Sequence, residues 1–278
     1  MFFTALITPA ILLVLYATFL SNIYRDTFLS VIPSGFALEE DLVDGLVGGQ
    51  LMSSILAVSC VTVAFCSNFL MVQDRVSGSA KDLLISPVKP ASMSVAYYTA
   101  TLFSTLIISY AATALCLIYI AAIGWYISFA DILLLLLDVL VLVLFGTALS
   151  SVISFFLRTQ GQISAVGTVI SAGYGFICGA YMPISSFSEG LRNVVAFLPG
   201  TYGTALFRNH ATRGVLAEME KSGVPAAAID GIRDAIDCNI YFFDTAVKEP
   251  VMFIILGGAA LLLLGVYILM HRLRKRCG

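Results

Sequence analysis

Long apolar runs are the feature that most constrains this chain. A helix needs roughly 20 apolar residues to cross the hydrocarbon core of a bilayer. In lipid, only helices and closed barrels satisfy every backbone hydrogen-bonding group. Hydrophobic residues make up 59% of the sequence and charged residues only 12%, against about 25% charged residues in soluble domains. The sequence therefore predicts an all-α integral membrane protein, a single domain with six transmembrane helices over residues 2–20, 48–72, 93–120, 132–157, 163–181 and 250–270.

The first apolar run also invites interpretation as a secretory signal peptide. A signal peptide begins with basic residues and has a short apolar core. Here the run is long, no lysine or arginine precedes it, and the first basic residue, Arg25, follows it. These features favour a membrane span.

Basic residues are concentrated in alternate polar segments. With the N-terminus in the cytoplasm, the inner segments 73–92, 158–162 and 271–278 contain eight basic and two acidic residues. The outer segments contain seven basic and 14 acidic residues. Cytoplasmic loops carry an excess of lysine and arginine, so we expect a multi-pass protein with both termini in the cytoplasm.

The polar segment 73–90, between the second and third spans, predicts a short amphipathic helix on the cytoplasmic side. Leu83 and Leu84 lie on one face of that helix, with charged residues on the other. Ser86-Pro87 ends it, because proline lacks an N–H and restricts the residue before it. Such a helix is either a handle for a partner protein or a connector lying on the headgroups, and the residues alone leave both open.

The segment 179–203, after the fifth span, predicts a second short helix on the outer side. Pro183 and Pro199 bracket it, and Ser186 or Ser188 is the expected N-cap. The helix is too short to cross a membrane, and irregular backbone at that depth needs protein or a water-filled cavity around it. The segment therefore predicts a re-entrant or interfacial helix that dips into the outer leaflet, either as a lid over a pathway or as an ordinary interfacial anchor.

The long outer segment 208–248 is polar and acidic. Helical spacing predicts helices over residues 211–221 and 225–237 within it. We expect these helices to form a small extracellular insertion.

Two motifs stand in a fixed order relative to the spans. The inner motif consists of Asp74, Arg75, Gly78, Leu83, Leu84, Ser86 and Pro87. The outer motif includes Pro183, Leu191, Arg192 and Pro199. Together they resemble the type 2 permease subunits of ATP-binding-cassette exporters, nearest in pattern to the multidrug-type permeases of bacteria, and the resemblance covers nearly the whole chain. Lys81 departs from the family pattern, which commonly has a glutamate there.

The resemblance implies a transport subunit that moves a drug-like, lipid-like or other amphipathic substrate outward. ATP and Mg²⁺ would be bound and used by a separate ATPase subunit, so the permease itself would hold no cofactor. The ATPase would dock on the inner motif, which serves as a coupling helix in this family. Two permeases, identical or different, would pair in the bacterial plasma membrane, in contact with lipid and without any nucleic acid.

The sequence lacks the residues of an ATPase or another enzyme. It has no Gly-x-x-x-x-Gly-Lys-Ser/Thr loop to hold phosphates. The two histidines, His210 and His271, lie outside the predicted spans, and no CxxC pair or acidic cluster has metal-ligand spacing. We therefore expect neither catalytic residues nor a metal site.

Asp138 is an ionisable residue inside the predicted fourth span. Placing an ionisable side chain in the hydrocarbon core costs free energy, so such a residue suggests a function. Asp138 could bind a cation or a proton, or it could make a hydrogen bond between helices. Proton relays need chains of acids or histidines, so we favour the role between helices.

The alternative function is an energy-independent channel or a secondary transporter. A lipid-modifying enzyme would need clustered polar residues near one interface, which the sequence lacks.

Overall fold

The computed structural model describes residues 39–79, 90–243 and 245–274, together with six single positions before them (14, 18, 21, 24, 25 and 28). The predicted first span lies almost wholly outside the described residues. The same is true of four residues of the inner motif, namely Leu83, Leu84, Ser86 and Pro87.

Helices dominate the described residues. In chain order they are α1 (Glu40–Ser77), α2 (Pro90–Ile123), α3 (Phe129–Phe156), α4 (Gln160–Ile177), α5 (Glu189–Ala196), α6 (Pro199–Lys221), α7 (Ala226–Ala235) and α8 (Glu249–Arg274). A 3-10 turn, Ile184–Ser186, lies between α4 and α5. The strands β1 (Tyr241–Phe242) and β2 (Thr245–Ala246) form a short antiparallel hairpin before α8.

Four helices of the described chain are long and apolar enough to cross a membrane: α1, α2 from Ser92, α3, and α8 as far as Arg272. They correspond to the predicted second, third, fourth and sixth spans. The predicted fifth span is observed as α4, which is not one of the four and contains glutamine, serine, threonine and glycine residues among its 18 positions. The helical membrane fold is confirmed, and the count of six spans stays a prediction.

Local sequence sets the points at which the helices begin and end. At the start of α3, the side chain of Ser128 accepts a hydrogen bond from the Asp131 N–H at 3.2 Å, and the Asp131 carboxylate accepts one from the Ser128 N–H at 3.2 Å. Thr159 and Gln162 form the same reciprocal cap at the start of α4. Such capping boxes satisfy N–H groups that the first helical turn leaves unpaired.

Helix α1 forms the centre of the bundle. Of its most apolar 18-residue window, 78% is buried, against 22% for α8, and α1 packs on α2, α3 and α6. Gly49 permits the close approach to α6, because a Cβ there would lie 2.9 Å from the carbonyl oxygen of Ala211. Small residues of this kind bring helix backbones together in membrane bundles.

Helices α1, α3 and α8 all finish where α2 begins, so the bundle has two distinct ends. Arg213 pairs with Asp131 and Glu249 at the end where α3 and α8 begin, and we call this the Asp131 end. At the opposite end, Arg75 donates a hydrogen bond to the carbonyl oxygen of Phe155, where α1 and α3 finish. We call this the Arg75 end.

Helix α1 extends further than its predicted span, 48–72. It continues to Ser77 and is terminated by Gly78, whose φ of 88° is in the left-handed region that favours glycine. Asp74 and Arg75 therefore lie in the last turn of α1 and not on a separate amphipathic helix, which corrects their predicted placement. The last turn is polar, and this is why the apolar run alone ended the helix too early.

The predicted outer insertion, 208–248, begins inside a helix of the bundle. Arg208 lies in the middle of α6, which packs on α1, α3 and α8. The predicted boundary at Arg208 therefore falls within α6, where Arg208 and His210 are buried against charged partners. The second helix predicted in that segment is observed as α7 (Ala226–Ala235).

Candidate functional site

The described residues of the inner motif connect three helices at the Arg75 end. The Tyr97 hydroxyl of α2 donates a hydrogen bond to Oδ2 of Asp74 at 2.8 Å. Arg75 donates to the carbonyl oxygens of Ser154 and Phe155, at 3.5 and 3.4 Å. Asp74, Arg75 and Tyr97 are all half-buried. A force applied to the last turn of α1 would therefore reach both α2 and α3.

Helix α8 joins the same end through aromatic packing. The ring of His271 lies 4.6 Å from the ring of Tyr267 and 4.8 Å from that of Phe155, centre to centre. The Tyr267 hydroxyl donates a hydrogen bond to the carbonyl oxygen of Ser94 in α2 at 3.4 Å. The ends of α3 and α8 and the start of α2 thus form one contact region beside the inner motif.

The outer motif lies at the Asp131 end. Pro183 precedes the 3-10 turn, Ser188 is the N-cap of α5, and Pro199 is the first residue of α6. Leu191 and Arg192, both on α5, are exposed. The helix predicted between the two prolines is therefore present, with the N-cap at one of its two expected positions, while its re-entrant character stays a prediction.

A buried ion pair anchors the outer segment to the bundle. Arg208 of α6 and Asp237, just after α7, are 0% and 3% exposed, and Arg208 Nη1 lies 2.8 Å from Asp237 Oδ2. Asp237 also accepts hydrogen bonds from the backbone N–H groups of Ile184 and Ser185, at 2.6 and 3.0 Å. Arg208 donates a second hydrogen bond to the carbonyl oxygen of Gly179. The pair thereby fixes α6, the end of α7 and the 3-10 turn relative to one another.

Asp138 pairs with His210 in the interior of the bundle. Asp138 Oδ2 lies 2.5 Å from His210 Nδ1, and each side chain is 1% exposed. His210 Nε2 in turn lies 3.8 Å from Glu249 Oε2 at the start of α8. The pair therefore joins α3 to α6, with α8 close by, which agrees with the role between helices that the sequence favours for Asp138.

Arg213 extends this charge network to the surface of the Asp131 end. Its guanidinium lies 2.9 Å from Glu249 and 3.4 Å from Asp131. Burial lowers the pKa of His210, but the carboxylates of Asp138 and Glu249 outweigh burial and raise that pKa to about 9. His210, on α6, is therefore protonated at neutral pH and carries the positive charge that the two carboxylates need.

The sequence did not reveal this network. His210 and Asp138 are 72 positions apart, and the polar composition of α6 suggested a solvent-facing helix. The available signal was Asp138 itself, since a carboxylate in a membrane span needs a partner. Within the described residues, no group of three or more His, Cys, Asp or Glu side chains is placed to hold a metal ion.

A family model described as ABC-2 family transporter protein matches residues 36–267. The chain belongs to the ABC-2 transporter family. No curated protein and no solved structure gives a significant match.

The ABC-2 match spans both motifs, α1 to α7 and most of α8. Together with the apolar helices, ABC-2 membership makes this chain a multi-pass membrane protein of the transport permease type. ABC-2 permeases associate in general with an ATP-binding subunit.

Proposed function

We propose that the chain is the permease subunit of an ATP-binding-cassette exporter that moves an amphipathic substrate outward, using ATP hydrolysed by a separate subunit. The ABC-2 match over residues 36–267 carries this proposal. The absence of a phosphate-binding loop from the sequence supports a separate ATPase, since a P-loop is needed to hold the nucleotide.

The ATPase docks at the Arg75 end in this proposal. The last turn of α1, with Asp74 and Arg75, connects directly to the segment that holds Leu83, Leu84, Ser86 and Pro87. Closure of the ATPase on ATP moves that turn and, through α1, the helices packed on it. Because α1 contacts α6 near the Asp131 end, the movement reaches the outer motif on the other side of the membrane.

A second permease completes the pathway. Two copies, or one copy and a related chain, face each other so that the substrate passes between their bundles. The outer helix α5, with Pro183 and Pro199 at its borders, closes the outer mouth of that pathway.

The alternative is a secondary transporter driven by protons. The buried pair of Asp138 and His210 favours it, because acids and histidines within a membrane protein form proton relays. We rank it second because each of these groups is held by an opposite charge, an arrangement that stabilises helix contacts without any proton movement.

Transport in inverted membrane vesicles separates the two functions. Vesicles containing the chain and its candidate ATPase are given a fluorescent amphipathic cation, and uptake is measured with ATP, with a non-hydrolysable ATP analogue and with a protonophore. The proposal expects uptake that requires ATP hydrolysis and persists with the protonophore. Uptake that needs no ATP and is abolished by the protonophore would show a secondary transporter instead.

Co-purification tests the docking site. Arg75→Ala combined with Leu83→Ala and Leu84→Ala should abolish recovery of the ATPase with the tagged permease, whereas the matched control Arg192→Ala, at the Asp131 end, should leave recovery unchanged. Equal recovery with both variants contradicts docking at the Arg75 end.

A further inference from the structure

A cavity of about 480 Å³ opens at the Asp131 end. Helix α5 forms one wall and the end of α7 with the β1–β2 hairpin forms another, while the 3-10 turn and the start of α6 lie at its base. Its volume is within the range of small-ligand sites, and its lining mixes charged, amide and hydroxyl side chains with apolar and aromatic ones.

The base of the cavity is rigid. Asp237 lines it and is held by the Ile184 N–H, the Ser185 N–H and the guanidinium of Arg208. Its negative charge is therefore already balanced inside the protein. A ligand in the cavity meets a fixed surface there, and the charges that attract it must come from other residues.

The walls supply one positive and two negative side chains whose charges are not balanced by an ion pair in the described chain. Arg192 and Glu189 lie on the α5 wall, and no ion pair in the described chain involves either of them. Asp234 lies on the α7 wall and accepts hydrogen bonds from Asn239 and Tyr241, at 2.8 and 3.1 Å. Both donors are neutral, so these hydrogen bonds bring no balancing cation to Asp234.

These charges match a ligand that carries both signs. A guanidinium recognises phosphate through parallel hydrogen bonds, and carboxylates accept hydrogen bonds from an ammonium group. A ligand with a positive charge only would leave Arg192 facing another cation, and a ligand with a negative charge only would be repelled by Glu189 and Asp234. The aromatic rings of Tyr241 and Phe243, which also line the cavity, offer faces that attract an ammonium group.

An apolar aromatic surface adjoins the cavity. The rings of Phe197, Phe242 and Phe243 pack edge to face, with centres 5.0 to 6.3 Å apart. The exposed fractions of these three residues are nevertheless 62%, 36% and 59%, respectively. Aromatic side chains concentrate at the level of the headgroups in membrane proteins. The ligand for this site therefore has a zwitterionic head and an apolar tail.

We propose that this cavity binds the headgroup of a zwitterionic phospholipid of the phosphoethanolamine class, taken from the surrounding bilayer. Arg192 holds the phosphate, Asp234 and Glu189 hold the ammonium group, and the acyl chains lie along Phe197, Phe242 and Phe243. The site depends on the chain being in a membrane and does not depend on the transported substrate or on the ATPase.

Calorimetric titration of the full chain in a non-ionic detergent tests the site. The probe is dihexanoyl-phosphatidylethanolamine. The comparison probes are dihexanoyl-phosphatidylglycerol, which has the phosphate without the ammonium group, and decyltrimethylammonium, which has a cationic head without phosphate. We expect the zwitterionic lipid to bind at least tenfold more tightly than either comparison probe.

Variants then assign the two halves of the headgroup. Arg192→Gln should weaken binding of the zwitterionic lipid at least tenfold, and so should Asp234→Asn. Glu189→Gln is a second test of the negative side of the site, because Glu189 is exposed and its replacement leaves the hydrogen bonds of Asp234 intact. This variant should also weaken binding of the zwitterionic lipid. The matched controls Lys221→Gln and Asp230→Asn change exposed charges outside the cavity and should bind as the native chain does.

Any of three results overturns the proposal: no binding, equal binding of the three probes, or an affinity unchanged by Arg192→Gln. Tighter binding of decyltrimethylammonium also overturns it, in favour of a site for organic cations. None of these results bears on ATP-dependent transport, which is measured separately in vesicles.

Discussion

The two ends of the bundle hold their charged residues in different ways. In the half of the bundle nearer the Asp131 end, Arg208 with Asp237 and His210 with Asp138 form short ion pairs that are almost fully buried. At the Arg75 end, Arg75 is half-buried and donates hydrogen bonds of 3.4 and 3.5 Å to main-chain oxygens. The first arrangement fixes helices relative to one another, while the second tolerates small shifts.

This difference matters for energy as well as geometry. Removing one member of a buried ion pair leaves an uncompensated charge in the interior and costs about 3–5 kcal/mol, whereas an exposed pair is worth about 0–1 kcal/mol. We propose an exporter driven from the Arg75 end. Movement is transmitted well in such a protein if the Arg75 end, beside the ATPase, can adjust while the Asp131 end stays rigid.

The largest effect is expected at the Arg208–Asp237 pair. Arg208→Leu leaves the buried Asp237 carboxylate without its cation and should destabilise the protein by about 3–5 kcal/mol. Thermal unfolding in detergent measures this loss, with Arg192→Leu as an exposed control that should change little. If the two variants unfold alike, the Asp131 end is not held by its buried charges.

The next effect is a pH dependence from His210. Its pKa is raised from 6.5 to about 9, so the ion pair contributes its full stability below about pH 6.5 and loses it as the pH rises through about 9. At 1.36 kcal/mol per pKa unit, the whole loss for a shift from 6.5 to about 9 is about 3–4 kcal/mol. Apparent melting temperatures from pH 6 to pH 10 should fall for the native chain, and the fall should be absent in His210→Gln. Parallel curves for the two proteins contradict the assignment.

Glycine substitutions compare the tightness of packing along α1. A Cβ at Gly49 would lie 2.9 Å from the Ala211 carbonyl oxygen, which is backbone and cannot move aside, so Gly49→Ala should cost about 1–3 kcal/mol. A Cβ at Gly167 would lie 3.1 Å from the flexible Phe69 ring, and Gly167→Ala should cost less. Gly48→Ala is the control, since its nearest neighbour would be 3.7 Å away. Equal costs at Gly49 and Gly167, measured by thermal unfolding, would show that packing is uniform along the bundle.

The smallest effect is expected at the Arg75 end. Tyr97→Phe removes the hydroxyl that donates to Asp74 at 2.8 Å and should cost about 1 kcal/mol, the usual contribution of one hydrogen bond. Tyr119→Phe, on the same helix, is the matched control and should be neutral, because the Tyr119 hydroxyl makes no hydrogen bond within the described chain. A loss as large as that of Arg208→Leu would show that the Arg75 end is as rigid as the other.

The sequence predicted those parts of the fold that depend on local composition. Apolar runs located α1, α2, α3 and α8, and proline and serine positions located α5, because span length and helix capping are properties of neighbouring residues. The first two residues of the inner motif, Asp74 and Arg75, belong to α1 itself, because its polar last turn continues beyond the apolar run.

Contacts between distant residues could not be predicted in this way. Nothing local in α6 indicates that Arg208 meets Asp237, 29 positions away, or that His210 meets Asp138. Taken alone, Arg208, His210 and Asp237 each indicate exposure to solvent, and Asp138 in its span does not reveal its partner. Only the pairing makes their burial favourable. The same limit applies to the cavity, whose walls come from α5, α7 and the hairpin.

The length of α1 has a consequence for where a partner meets the membrane. Its 38 residues measure about 57 Å at 1.5 Å per residue, nearly twice the roughly 30 Å of a hydrocarbon core. Tilting shortens the excess only in part, because membrane helices lean by about 20° on average. One or both extremities of α1 therefore extend beyond the hydrocarbon core, into the headgroup layer or the water next to it.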